Sequence, residues 1–286
     1  MSIDRRSFLV GAAALAAAAC RAVPDGTASS APAAAGNADT TAPAAGADTA
    51  STASSTTAAP ATTAAPATTA APATTTTPAT STTHDGSPAV FVPKGAGLRP
   101  EVALTFHTNG DTAIATALLD RLASRNVAIT AFVVGEWLVA NPDLGRRIVA
   151  DGHELANHTW SHLSMGELDR PAIATEIDRC AEAIAAVTGD RGRWFRPSAM
   201  EVPTEDVLVE AGAAGYATVI GYSVDPLDFT DPGADAIVAG TAVAAPGDIV
   251  SLHFGHADTV AAIDPIIDGL AAAGLRPVTV SQLLRP

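Results

Sequence analysis

Glu154-Leu155-Ala156-Asn157-His158-Thr159-Trp160-Ser161-His162 carries a short strand-like run straight into two histidines four positions apart. Residues four apart on a helical turn share a face, so both imidazoles can take one metal ion. A hydrogen-bonded histidine pair at a helix start is the plainer alternative. What decides between them is position: whether other polar groups gather at the ends of neighbouring strands.

Short apolar runs rich in β-branched residues recur at Val102–Phe106, Ile129–Val134, Glu154–Asn157, Trp194–Pro197, Ala217–Val224, Ile249–Phe254 and Pro277–Val280. Helical patterns separate them at Thr112–Ser124, Trp137–Val149, Ile173–Val187, Glu205–Ala214, Ala234–Ala245 and Val260–Ala273, several stopping at glycine (Gly189, Gly215, Gly274). Strictly alternating strands and helices imply an α/β fold with a parallel sheet covered by helices. Seven candidate strands favour an irregular (β/α)7, TIM-barrel-like closure, with an open doubly wound sheet as runner-up. Either geometry puts chemistry at the C-terminal ends of the strands.

The polar residues fall there. His107 follows the first run, His158 the third, Arg196 lies in the fourth, Asp225 and Asp228 follow the fifth, and His253 closes the sixth. His253 ends an apolar strand at the rim of a cavity, where a nearby carboxylate would fix its tautomer and suit it to general-acid work. Asp225 is the first candidate partner and Asp228 the second; around Pro226 both also suit a turn. Arg196 emerges from the apolar Trp194-Phe195-Arg196-Pro197, which pairing with a buried carboxylate or a surface ion pair would equally explain. His256 stays unassigned, and His153, in a turn, reads as structural.

Working outward to the termini, Arg5-Arg6 precede Phe8-Leu9 and an Ala/Leu/Gly stretch reaching Ala19, the pattern of an export leader of twin-arginine type over residues 1–20. Cys20 stands where a lipoprotein cysteine would. Residues 21–87 are dominated by Ala, Thr, Pro and Ser and have almost nothing to bury, so they read as a disordered stalk. Residues 88–286 remain as the folded, catalytic domain. Only Cys20 and Cys180 are present, so an intradomain disulfide is excluded, and a net charge of -14 argues against nucleic-acid binding.

Taken in order, His158-Thr159-Trp160-Ser161-His162, Phe195-Arg196-Pro197-Ser198, Asp225-Pro226-Leu227-Asp228 and Ser251-Leu252-His253 resemble the motifs of the polysaccharide deacetylase family, the NodB-like carbohydrate esterases of family 4. The resemblance implies an irregular barrel and a divalent metal, zinc first, with cobalt, nickel or manganese as alternatives, that activates water against an N- or O-acetyl carbonyl. It implies His253 as general acid oriented by Asp225, and the Ala199 amide beside Arg196-Pro197 as an oxyanion donor. The implied partner is an acetylated cell-wall or extracellular glycan, met outside the cytoplasmic membrane; separately, the place of Cys20 after the leader allows anchoring through a lipid, with simple cleavage after an Ala-x-Ala site as the alternative. No protein partner is inferred. The first motif departs: family members read Thr-Phe-Asp-Asp-Gly, whereas this chain reads Thr105-Phe106-His107-Thr108-Asn109-Gly110-Asp111. His107 therefore stands at the base position and Thr108 at a ligand position. The third metal donor is expected from either His107 or Asp111, and a non-catalytic glycan-binding or wall-scaffold member is the alternative reading.

Overall fold

The computed structural model describes residues 86–286, so the leader, Cys20 and the stalk up to residue 85 lie outside the described residues. The strands are β1 (Val90–Val92), β2 (Glu101–Thr108), β3 (Thr130–Val133), β4 (Glu154–Asn157), β5 (Thr218–Ile220), β6 (Ile249–His253) and β7 (Arg276–Val278). The helices are α1 (Thr112–Ser124), α2 (Gly135–Ala140), α3 (Pro142–Ala150), α4 (Arg170–Thr188), α5 (Glu205–Ala213), α6 (Ala234–Thr241), α7 (Ala257–Ala272) and α8 (Val280–Leu283).

All strand pairings are parallel, in the order β4-β3-β2-β6, with β7 also on β2 and β1 on β5. Single parallel bridges close the ring: Phe195 joins Asn157 to Val219, and Val224 joins Val250. The expected fourth strand is thus reduced to one residue. Pro197 has no N–H to continue a ladder, so pairing stops at Phe195 and Arg196. The expected helix Trp137–Val149 is two helices, because the Asn141-Pro142 step ends α2 and starts α3 with Pro at its first position. The short strand β1 was not among the expected elements.

Alternation along the strands separates two surfaces. Val102, Leu104 and Phe106 of β2, with Ala131 and Val133 of β3 and Val250 and Leu252 of β6, face outward into the main apolar cluster with Leu118, Leu119, Ile263 and Leu270 of the covering helices. Each large side chain fully buried there contributes roughly 1.5–3 kcal/mol relative to exposure. The other face points into the barrel, where Ala103, Phe132, Ala156, Ile220 and Ile249 pack together. Continuing by two, that inner face changes character: Ala103 is followed by Thr105 and His107, Ile249 by Ser251 and His253, and Ala156 by His158. The apolar floor of the barrel thus gives way to three imidazoles at the C-terminal rim.

Candidate functional site

Four histidine rings meet at that rim. His107 lies 4.3 Å from His158 and 4.5 Å from His253 by ring centroids, and His158 lies 5.0 Å from His162. His107 and His253 are register partners across β2 and β6, which is why the strand alternation brings them together.

The segment carrying His158 and His162 is a loop, not the expected helical turn. Thr159 and His162 take left-handed backbone angles (φ 70 and 61), uncommon for residues with side chains and costly unless held. It is held from both sides. Glu176 of α4 accepts from the Trp160 and Ser161 amides and the Ser161 hydroxyl, while the Gly135 and Glu136 amides at the start of α2 donate to the Thr159 and Trp160 carbonyls. Asn157 accepts from the Thr159 amide through Oδ1. Glu176 escaped the sequence reading, although it sits on the apolar face of α4 with Ile173, Ile177 and Ile184, where a lone carboxylate signals a buried partner.

His158 is fully buried, and its Nδ1–H donates to the Arg196 carbonyl at 2.9 Å. That bond leaves a lone pair on Nε2, which is buried without a hydrogen-bond partner. Burial, followed by the charge of a neighbouring His162, holds His158 well below the ordinary histidine range, so it is a neutral donor. His162 is lowered as well, chiefly by burial. An orphaned imidazole nitrogen beside a second neutral imidazole fits a divalent cation.

Neither expected third donor joins this pair. Asp111 is the N-cap of α1; its Oδ1 accepts from the Ala113 and Ile114 amides at 2.8 and 3.0 Å. Those helix-start donors are otherwise unpaired, which explains why the carboxylate turns that way. His107 receives Arg196 Nη1 on Nε2 at 3.1 Å, so its remaining ring proton resides on Nδ1 and no lone pair is left for a metal or for water. Burial lowers its pKa well below the ordinary value, with His158 and Arg196 adding to the effect. Thr108 is buried, its hydroxyl turned to the Phe106 carbonyl. Among the described residues, no three His, Cys, Asp or Glu side chains are grouped to hold a metal ion.

Arg196 meets no carboxylate either, contrary to expectation. Its guanidinium, 1% exposed, donates to the Ile220 and Gly221 carbonyls, Thr105 Oγ1 and His107, and lies 4.1 Å above the Phe132 ring. Burial draws its pKa down to about 9. Where the resembling motif would set a carboxylate, this cation faces a neutral imidazole.

The partner of His253 is Asp228, not Asp225. Asp228 Oδ1 accepts from His253 Nδ1 at 2.7 Å, and Oδ2 accepts from the His253 amide and the Thr259 hydroxyl. Leu227, at φ 56, reverses the chain and swings Asp228 inward. Asp225 instead accepts the Leu227 amide at 2.9 Å, forming the turn that makes this possible. It stays half-buried, and burial raises its pKa. The Arg196-Pro197-Ser198 loop ends at Ala199 in a left-handed conformation (φ 49), with Ser198 bonded to Thr159 and Leu163 of the histidine loop.

Residues 94–219 match the family model for polysaccharide deacetylase. A chitooligosaccharide deacetylase of Sinorhizobium fredii is 36% identical over 165 residues, which is 57% of this chain and 76% of that protein. The chain belongs to the polysaccharide deacetylase family. A peptidoglycan-N-acetylglucosamine deacetylase of Bacillus cereus is 33% identical across 64% of this chain and 88% of its own length. These relatives are hydrolases of carbon–nitrogen bonds, and metal dependence is general in the family. A solved structure, a family 4 pseudoenzyme of Bacillus anthracis, matches with a TM-score of 0.64 at 26% identity over 68% of this chain and 69% of its own. A mutant of that pseudoenzyme has restored enzymatic activity.

Proposed function

We propose that this chain is an exported deacetylase that removes acetyl groups from a cell-wall or extracellular carbohydrate. The observation that carries the reading is the preserved half of the machinery: a buried, unpaired His158 Nε2 next to His162, facing a His253 already oriented by Asp228. His158 and His162 would hold the divalent metal, which when bound polarises the acyl carbonyl and activates water. The rest falls to the chain. His253 presents Nε2 to the leaving nitrogen or oxygen and gives up a proton there, while Asp228 keeps the other ring nitrogen protonated. Arg196 holds His107 in a single tautomer and sets a positive charge beneath the imidazoles. The Ala199 amide, at the end of the Arg-Pro loop, would donate to the carbonyl oxygen, the role the family resemblance implies. The leader-like residues 1–20, the Ala/Thr/Pro-rich residues 21–87 and Cys20 support a location on the outer face of the membrane or in the wall.

Zinc titration of the full chain by calorimetry, paired with acetate release from N-acetylglucosamine oligomers, tests the reading. Binding and turnover in the wild type, both lost in His158→Ala, support it; turnover surviving in His158→Ala sinks it.

One observation favours a second reading. His107, at the base position, has its lone pair capped by Arg196, and no first-motif carboxylate replaces it. A chain so built would bind glycan without turning it over, as befits likeness to a pseudoenzyme. His107→Asp with Thr108→Asp then creates turnover absent from the wild type.

A further inference from the structure

Two histidine–aspartate pairs, not one, join the loop after β5 to the end of β6. His253 Nδ1 meets Asp228 Oδ1 at 2.7 Å, and three residues further along both segments His256 Nδ1 meets Asp231 Oδ1 at 2.9 Å. Each pair uses the same ring nitrogen and leaves Nε2 free of the carboxylate. The ring centroids of His253 and His256 are 6.1 Å apart and the rings near perpendicular. The two pairs differ in exposure. Asp228 is wholly buried and His253 is 16% exposed, whereas His256 and Asp231 are 25% and 63% exposed. His256 stands at the N-cap of α7 yet makes no side-chain capping bond, so helix termination does not explain its ring.

We infer that the His256–Asp231 pair is a proton relay that reloads His253 from solvent. The inference rests on the proposed role of His253 as general acid. When the acyl carbon–nitrogen bond breaks, the His253 Nε2 proton passes to the leaving nitrogen and His253 becomes neutral, with Asp228 still holding Nδ1–H. Once protonated, His256 passes its Nε2 proton through an intervening water to His253 Nε2, and Asp231 holds its Nδ1–H throughout. His256 then takes a proton from bulk water or a buffer acid, so the proton count closes over the cycle. Around the two rings stand Asp225, Asp228 and Asp231 of the loop, His107 of β2, and His158 and His162 of the histidine loop, while the Asp258 carboxylate of α7 is occupied by the Gly233 amide. His256 is a positioning residue here, acting through His253.

The test is solvent exchange of the His253 Nε2–H, measured by NMR at mildly acidic pH in full-length protein carrying 15N-labelled histidine. The relay predicts that His256→Gln and Asp231→Asn each slow this exchange by about tenfold, with added free imidazole restoring it. A merely structural tie between the segments predicts the opposite sign, since loosening the loop speeds exchange. Unchanged or faster exchange in both variants overturns the relay. Because the readout needs no turnover, a wild type without deacetylase activity would defeat the proposed function while the exchange rates still judge the relay.

Discussion

The two ends of the barrel solve opposite electrostatic problems. At the N-terminal end of β2, one buried carboxylate, Glu101, is surrounded by Arg99, Arg276 and Arg285. Hydrogen bonds from Arg285 above all, with Arg276 and Arg99 adding, draw its carboxyl down to about 2 against the cost of burial. Six residues along the same strand, His107 abuts a buried cation with no carboxylate, among three further imidazoles. The first end is satisfied and closed. The second holds an orphaned donor nitrogen and a guanidinium tied only to neutral atoms, an arrangement characteristic of a functional site. One strand therefore carries a closed ion cluster at one end and the candidate chemistry at the other.

Breaking the functional end should cost the most stability. Arg196→Met leaves the Ile220 and Gly221 carbonyls and Thr105 without their donor, and denaturant unfolding should show a loss of about 3 kcal/mol or more. The same variant frees His107 Nε2, so its ring should titrate closer to the ordinary histidine value by NMR. At the other end, Glu101→Gln removes the charge shared by three arginines, and about 2 kcal/mol should be lost at neutral pH. Its folded carboxyl lies below the unfolded value of roughly 4.3, so the stabilisation is complete above that pH and disappears as pH falls toward 2. Thermal melts should show the wild type's advantage over Glu101→Gln narrowing through that window and constant above it.

Asp111→Ala sharpens the distinction between scaffold and site. It should lower stability by about 1 kcal/mol through loss of the α1 cap, while zinc stoichiometry stays that of the wild type. A fall in zinc binding would return Asp111 to the metal site. Arg276→Gln should have the least effect, below about 1 kcal/mol, since that side chain is 64% exposed and two arginines remain on Glu101.

Much of this was legible in the sequence because strands alternate. The steps Ala103-Thr105-His107 and Ile249-Ser251-His253 announce an inner face turning polar toward the C-terminal end, and the barrel follows from the regular alternation of strands and helices. What was not legible depends on single backbone angles. The choice of Asp228 over Asp225 is made by Leu227 in a left-handed conformation, which nothing in Asp225-Pro226-Leu227-Asp228 demands. The loop geometry of Thr159 and His162 likewise follows from a carboxylate on α4, fourteen residues beyond His162. The tautomer of His107 is set by Arg196, far away in sequence, so neither the base role nor the ligand role could be judged from the first motif alone.

Acetate release from N-acetylglucosamine oligomers by zinc-supplemented wild type, Asp228→Asn and Asp225→Asn tests the central claim most directly. Turnover by the wild type, falling about 100-fold or more in Asp228→Asn and only slightly in Asp225→Asn, is the predicted result. No turnover by the wild type, or equal losses in the two variants, would contradict a site whose acid is His253 held by Asp228.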